Sequence, residues 1–353
     1  MKPSQKIKVA FNGSCLESGK IGGWSRYTSE LICHLRKSYS DKLDITIFQN
    51  TNRQIHTFWE QITLPNLCHK NGIDILHAPA NAGLPLKGSF KKILTIHDLF
   101  SEKDFSLATS LQSFKNLKAA LRYQLDWQIS LRVADVIITV SDFSKEELIR
   151  YGINKSLIRI YEGTHFKLQQ TLPAAPQDRP YLLYVGTFDE RKQTDLLIAD
   201  FLKTTPQINL VLIGRGAQAQ RARFSSDRLF FFENISDADL AAYYNKALAF
   251  ITYSKSEGFG LPLVEAMNFG KPVLYTGGGA IPEVTGDAGL HINYQNLDSI
   301  LSSLQSNPLF LNDLKDKAFR QSQKFTWDVA AQETYLAYLN LFNSSKKSTT
   351  TES

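Results

Sequence analysis

Residues 257–265 read Glu257-Gly258-Phe259-Gly260-Leu261-Pro262-Leu263-Val264-Glu265. Two carboxylates flank a Gly-rich turn that runs into a helix, with Pro262 at the helix start, where a missing N–H leaves nothing unpaired. Gly258 and Gly260 leave the backbone bare, so a ligand can come close to its N–H groups. A helix N-terminus is also a ready anion site. Two acids beside an anion site are reconciled by a ligand with phosphate in the middle and hydroxyl-rich groups at both ends. That is the shape of a nucleotide sugar.

Outward from this stretch, short apolar runs alternate with helical patterns. Strands are expected at 8–12, 44–50, 74–79, 91–98, 136–141 and 158–163, and helices at 26–38, 113–133 and 144–151. The last helix opens on Ser144-Lys145-Glu146-Glu147, a capping-box spacing. Several strands are continuously apolar, as in parallel sheets covered on both faces. Residues 167–180 are polar with three prolines and read as a linker. The alternation then restarts at 181–187, 209–214, 229–235, 249–253, 272–276 and 289–293. The expected fold is therefore α/β, with a first domain at 1–166 and a second at 181–326, each built on a mostly parallel sheet. A ligand would sit at the carboxyl ends of the strands, in the cleft between the two domains. A closing helix is expected at 327–342, returning toward the first domain, and a disordered Ser/Thr/Lys-rich tail at 343–353.

The length of 353 residues suits two domains. Hydrophobic residues at 43% and charged residues at 21% describe a soluble globular chain. No apolar run is long enough to cross a bilayer, and Met1-Lys2-Pro3-Ser4 leads straight into a strand, so no signal peptide is read. Cys15, Cys33 and Cys68 are odd in number and scattered, which argues against disulfides and a zinc site and for the cytoplasm. Lys/Arg outnumber Asp/Glu by 22 to 15 in residues 1–166, against 18 to 19 in the rest. So small an excess is usually just a solvated surface; the functional reading is that the first half faces something acidic, such as an anionic membrane at which the protein is peripheral. No dense basic stripe with interleaved aromatics points to nucleic acid.

The Glu257–Glu265 stretch resembles the E-x7-E motif of retaining glycosyltransferases of family 4, which have the GT-B fold of two Rossmann-like domains. Other segments agree in order. Gly22-Gly23-Trp24-Ser25-Arg26-Tyr27 is similar to the family's glycine loop, Thr95-Ile96-His97-Asp98-Leu99 to its histidine-bearing strand end, and Val140–Ser144 to its Val-Ser-x-x-Ser segment. Val185-Gly186-Thr187 through Arg191-Lys192, Leu212-Ile213-Gly214, Gly277–Glu283 and Phe325-Thr326-Trp327 resemble landmarks of the donor domain and closing helix. The resemblance covers nearly the whole chain.

It implies a site. Glu257 would hold the donor sugar, Glu265 the ribose, Lys192 the diphosphate, and His97 a sugar hydroxyl. Gly22, Gly23, Gly258, Phe259, Gly260, Leu261, Gly278 and Gly279 would complete the donor pocket, with Gly277 and Glu283 beside them. Thr187 stands where many members have an arginine, and Arg191 would supply that charge. Each residue also has a plainer reading: Glu265 as a helix-dipole acid, Glu257, Arg191 and Lys192 as solvated loop charges, Gly22-Gly23 as a turn, and His97 as a structural histidine. The implied activity is transfer of a hexose such as mannose or glucose, with retention, from a nucleotide-diphosphate sugar to a carbohydrate or lipid-linked acceptor, as in polysaccharide, lipopolysaccharide or glycolipid synthesis. Neither cofactor nor metal is implied. Asp237-Ala238-Asp239 has the D-x-D form of a metal motif, but with Ser236 or Asp237 as N-cap it reads as the start of a helix. The alternatives are an epimerase of the same fold and an inactive nucleotide-sugar-binding scaffold. A dinucleotide-dependent oxidoreductase fits less well, since Asn12-Gly13-Ser14-Cys15 is not a G-x-G-x-x-G turn.

Overall fold

The computed structural model describes residues 6–16, 23–51, 55–98, 114–164, 166, 179–205 and 207–350, the side chains of 114–120 and 345–350 excepted. Gly22, nearly all of the expected linker, and residues 351–353 lie outside the described residues. The chain divides into two compact units, Met1–Glu162 with Trp327–Ser353, and Gly163–Thr326.

The first unit is built on β1 (Ile7–Asn12), β2 (Leu43–Phe48), β3 (Ile75–Ala78), β4 (Lys91–Ile96), β5 (Val136–Thr139) and β6 (Ser156–Arg159). All pair in parallel, in the order β2-β1-β3-β4-β5-β6. Every residue of β3 and β5 is buried, which is why those runs carry no polar alternation. Leu76, Leu94, Ile96, Ile137 and Leu148 join Trp59 and Leu64 in one core. Strand order reverses between β1 and β3, the kind of switch point at whose carboxyl end open α/β sheets bind ligands.

Three local features differ from expectation. β6 starts at Ser156, two residues early, because its pairing partner sets the register: Val136 faces Ser156. The helix expected to open at Ser144 is Asp142–Arg150, and its cap is Ser141, whose Oγ accepts from the Ser144 N–H at 3.0 Å. Residues 56–70, unassigned from sequence, form a continuous helical segment with a π-helical turn at Trp59–Thr63. Pro65 explains the turn: it cannot donate to the carbonyl four residues back, so the ladder widens locally instead of breaking.

The C-terminal helix, Trp327–Thr350, belongs to the first unit. It runs past the expected end at 342, since no Gly or Pro stops it, and this corrects the tail for residues 343–350. It packs on the helix Gly23–Tyr39. Tyr335 stacks on Tyr39 with ring centroids 4.2 Å apart, Trp327 meets Tyr27 edge-on, and Tyr338 Oη hydrogen-bonds His77 Nδ1 at 2.7 Å. His77 is fully buried, and burial followed by the charge of His97 pushes it down to about 3, so it is a neutral core residue.

The second unit repeats the plan with β7 (Tyr181–Val185), β8 (Asn209–Ile213), β9 (Leu229–Phe232), β10 (Ala249–Thr252), β12 (Val273–Tyr275) and β14 (Gly289–His291), in the parallel order β14-β12-β10-β7-β8-β9. A separate two-residue parallel ladder joins β11 (Ser256–Glu257) to β13 (Gly278–Gly279). The switch point here lies between β7 and β10.

Candidate active site

Topology explains why distant residues meet. The chain leaving β7 carries Gly186 to Lys192, and the chain leaving β10 carries Ser254 to Glu257; these are the two carboxyl ends that flank the switch point of the second unit. The β7 loop is held by its own side chains. Tyr184 Oη donates to the Thr187 carbonyl at 2.6 Å, and Thr187 Oγ1 donates to Asp189 Oδ2 at 2.5 Å. Asp189 in turn caps the 3-10 turn Glu190–Lys192. The two loops are tied together where the Lys255 N–H donates to the Arg191 carbonyl at 3.0 Å.

This framework aims Arg191 and Lys192 at Glu257. Arg191 Nη1 lies 3.2 Å from Glu257 Oε2, and Lys192 Nζ donates to Oε1. The carboxylate side chain is 13% exposed. Burial pushes its pKa up, but Lys192, Arg191 and a hydrogen bond from Ser254 outweigh burial, and the group is held below the usual carboxylate range. Arg191 also donates to the Ser256 carbonyl. Thr187, by contrast, spends its hydroxyl inside its own loop.

The helix Leu261–Asn268 begins after Gly260, its N-cap, at φ 94°. Leu261 and Pro262 occupy its first positions. Glu265 does not lie in the first turn, which corrects its helix-dipole reading. It is 2% exposed, and Oε2 accepts from Tyr244 Oη at 2.8 Å. Phe259 is 3% exposed with its ring edge-on to Phe325, so its side chain serves the core, and what it can offer a donor is backbone. Glu283 stands in the first turn of the short helix Ile281–Thr285. Ser236 Oγ caps the helix Asp237–Lys246 by accepting from the Asp239 N–H at 3.1 Å, which gives the D-x-D a helix-start role.

The three consecutive glycines are not alike. A Cβ on Gly277 would stand 1.7 Å from the Ser254 carbonyl oxygen, and one on Gly279 would stand 2.5 Å from that of Glu257. A Cβ on Gly278 would meet nothing nearer than 4.0 Å. Packing thus demands Gly277 and Gly279, while the bareness of Gly278, paired to Ser256 next to Glu257, leaves open space. Gly23, at the start of its helix, likewise has nothing within 4 Å.

In the first unit, His97 follows β4 and is 5% exposed. Its Nδ1 donates to Glu162 Oε1 at 2.7 Å and its Nε2 to the Pro79 carbonyl at 2.8 Å. Burial disfavours the imidazolium, but the bond and charge of Glu162, with the Pro79 carbonyl and Asp98, outweigh it and raise the pKa. Both N–H groups are therefore committed. In this arrangement the ring ties together the ends of β3 and β4 and the end of the unit.

Besides Glu162 and Asp200, two buried carboxyls of the first unit's helices escaped the sequence reading. Glu60 is 6% exposed within the π-helical turn, and Asp126 is 8% exposed on the helix Phe114–Val133. The signal was present for Asp126, which shares a helix face with buried Ser130. Glu60 had none, because Pro65 hid its helix. Burial, and then the charge of Glu60, pushes Asp126 up to about 6, against the pull of Arg122 and His56. The unfolded chain releases this proton near pH 4 and the folded chain near pH 6, so rising pH across that window favours unfolding. Asp126→Asn removes the penalty. Melting curves from pH 4 to 8 should show the variant gaining on the wild type as pH rises, and a constant difference would refute the assignment.

Sequence comparison agrees with this layout. Residues 21–164 match the profile of Glycosyltransferase Family 4, and residues 168–308 that of Glycosyl transferases group 1. The chain is 30% identical over 241 residues to the O-antigen chain mannosyltransferase B of Escherichia coli, covering 59% of this chain and 61% of that protein's length. Among solved structures, sucrose-phosphate synthase from Thermosynechococcus elongatus superposes with a TM-score of 0.74 at 22% identity, over 96% of this chain and 100% of that one. Anabaena HepE, solved in complex with UDP-glucose, gives 0.70 at 18% identity, over 95% of this chain and all of that one. With the two profiles matched in succession and two parallel sheets of GT-B type, the chain belongs to the family 4, group 1 glycosyltransferases.

Proposed function

We propose that the protein transfers a hexose, mannose in the first instance, from a nucleotide-diphosphate sugar to a hydroxyl of a growing polysaccharide or lipopolysaccharide, with retention at the anomeric carbon. The observation that carries this reading is the Lys192–Glu257–Arg191 cluster beside the open backbone of Gly278. Departure of a nucleoside diphosphate develops negative charge. Two cations already fixed at the switch point meet that charge without reorganising. Glu257 keeps the cations in place and, ionised, also stabilises positive charge at the anomeric carbon. The leaving phosphate takes the acceptor proton, so no separate base is required. Mannose is preferred because the Escherichia coli relative is a mannosyltransferase.

The test is a thermal-shift screen of the full chain against GDP, UDP, ADP and dTDP and their sugars. One nucleotide class should raise the melting temperature by mass action. Turnover of that donor should persist in excess chelator, because the Asp237-Ala238-Asp239 segment is a helix start. Failure of all four nucleotides to stabilise the protein would overturn the reading, and loss of turnover on chelation would overturn its metal independence.

A further inference from the structure

Glu265 is the fifth residue of the helix Leu261–Asn268 and is almost fully buried. Side chains on a helix lean toward its N-terminus, so this one is carried back over the first turn, toward Gly258–Gly260. A carboxylate so dry is costly unless hydrogen-bond donors meet it. Tyr244 Oη is one such donor, 2.8 Å from Oε2. A carboxylate has about four acceptor sites, and a phenol fills one of them.

Tyr244 comes from another helix, Asp237–Lys246, and is itself completely buried. Its ring is caged. Phe269 lies parallel to it with centroids 5.8 Å apart, Phe166 meets it edge-on at 5.8 Å, and Phe250 of β10 lies at 6.3 Å. Phe166 is fixed in turn, because Asn268 Nδ2 donates to its carbonyl at 2.9 Å. A ring packed so closely cannot carry its hydroxyl elsewhere. The glutamate, by contrast, has a long side chain whose rotamers must be frozen before it can hold a ligand.

We infer that Tyr244 is a positioning residue for the donor: its caged hydroxyl fixes the Glu265 carboxylate so that the other acceptor sites meet the ribose hydroxyls of the nucleotide. The inference rests on the nucleotide-sugar reading above and deepens it, by naming the group that sets how strongly ribose is selected. Freezing the carboxylate before the ligand arrives removes an ordering cost from binding.

Equilibrium binding to the full chain tests it, with GDP, UDP, ADP and dTDP each measured against its 2′,3′-dideoxy counterpart. The wild type should prefer the best-bound of the four over its dideoxy form by at least about tenfold. Tyr244→Phe keeps the ring and its aromatic contacts and removes only the hydroxyl, so it should fold. Its preference should drop at least about threefold, because the carboxylate must now be ordered by the ligand. In turnover, the donor KM should rise while kcat stays within about twofold, since the ribose is held equally in the ground and transition states. Leu304→Ala, a cavity in the core of the same unit, controls for destabilisation alone; it should melt lower yet keep the wild-type preference. An unchanged preference in Tyr244→Phe overturns the inference, as does a wild type that binds the dideoxy form equally well. A drop matched by Leu304→Ala makes the tyrosine merely structural and also overturns it. The nucleotide screen separates the two readings: stabilisation by a nucleotide, with no loss of preference in Tyr244→Phe, sinks the positioning role alone, and no stabilisation by any nucleotide sinks the transferase.

Discussion

Glu257→Gln is expected to leave a folded protein that binds nucleoside diphosphate and transfers sugar at least a hundredfold more slowly. The carboxylate is nearly buried and contacts both Lys192 and Arg191. Glutamine preserves the volume but not the charge that aligns the two cations. Loss of one preorganised electrostatic contact at a reacting centre costs roughly 10²–10³ in rate. Lys192→Ala should cost a similar factor for a different reason, leaving the carboxylate with Arg191 alone and the leaving phosphate with one cation fewer. Because the two residues act as a unit, the double variant should be little worse than either single one. Steady-state turnover of the four proteins decides this. Independent, multiplicative losses, or wild-type rates in Glu257→Gln, would show that the cluster is only a surface ion network. The pH profile adds a check. Glu257 is held below the usual carboxylate range, so it stays ionised through neutral pH and contributes no limb there.

The second large effect is a contrast between adjacent residues. Gly277→Ala should unfold the second unit or destabilise it by more than about 4 kcal/mol, since a Cβ placed 1.7 Å from the Ser254 carbonyl oxygen can be relieved only by moving backbone. Gly278→Ala should change stability by no more than about 0.5 kcal/mol, because nothing lies nearer than 4.0 Å. Yet it should lower donor turnover by at least about tenfold, if the space beside Glu257 is where the diphosphate lies. Denaturant melts and donor turnover on both variants separate fold from site. Full activity in Gly278→Ala would remove the diphosphate from that backbone.

The fold was legible because its strands are buried on both faces and so appear as uninterrupted apolar runs, such as 136–138 and 210–213. Where tertiary pairing decides, the sequence was silent. The register of β6 comes from β5, and the ladder of Ser256–Glu257 with Gly278–Gly279 involves a glycine pair with no strand propensity of its own. The charges of the site could be named from sequence, but not the pairing of Arg191 and Lys192 with a carboxylate more than sixty residues away, which the switch point creates. The partners of His97, Pro79 and Glu162, were illegible for a related reason: they come from other strand ends. Glu60 stayed hidden behind Pro65, since a proline within a helical pattern signals a break and gives no hint of a widened turn.

The closing helix sets the order in which this protein can be completed. Tyr39 and Tyr335 stack within the first unit, so that unit lacks one of its layers until the helix that begins at Trp327 has been made. At roughly 5–20 residues per second, the ribosome takes about 15–60 s to travel from one tyrosine to the other. During that time the second unit, contiguous from Gly163 to Thr326, emerges with every residue it needs. The half that begins synthesis first is thus the last to close, and the faces of Tyr27, Tyr39 and His77 wait uncovered for their partners. A stop codon just ahead of Trp327 would therefore damage the first unit and spare the one translated just before it.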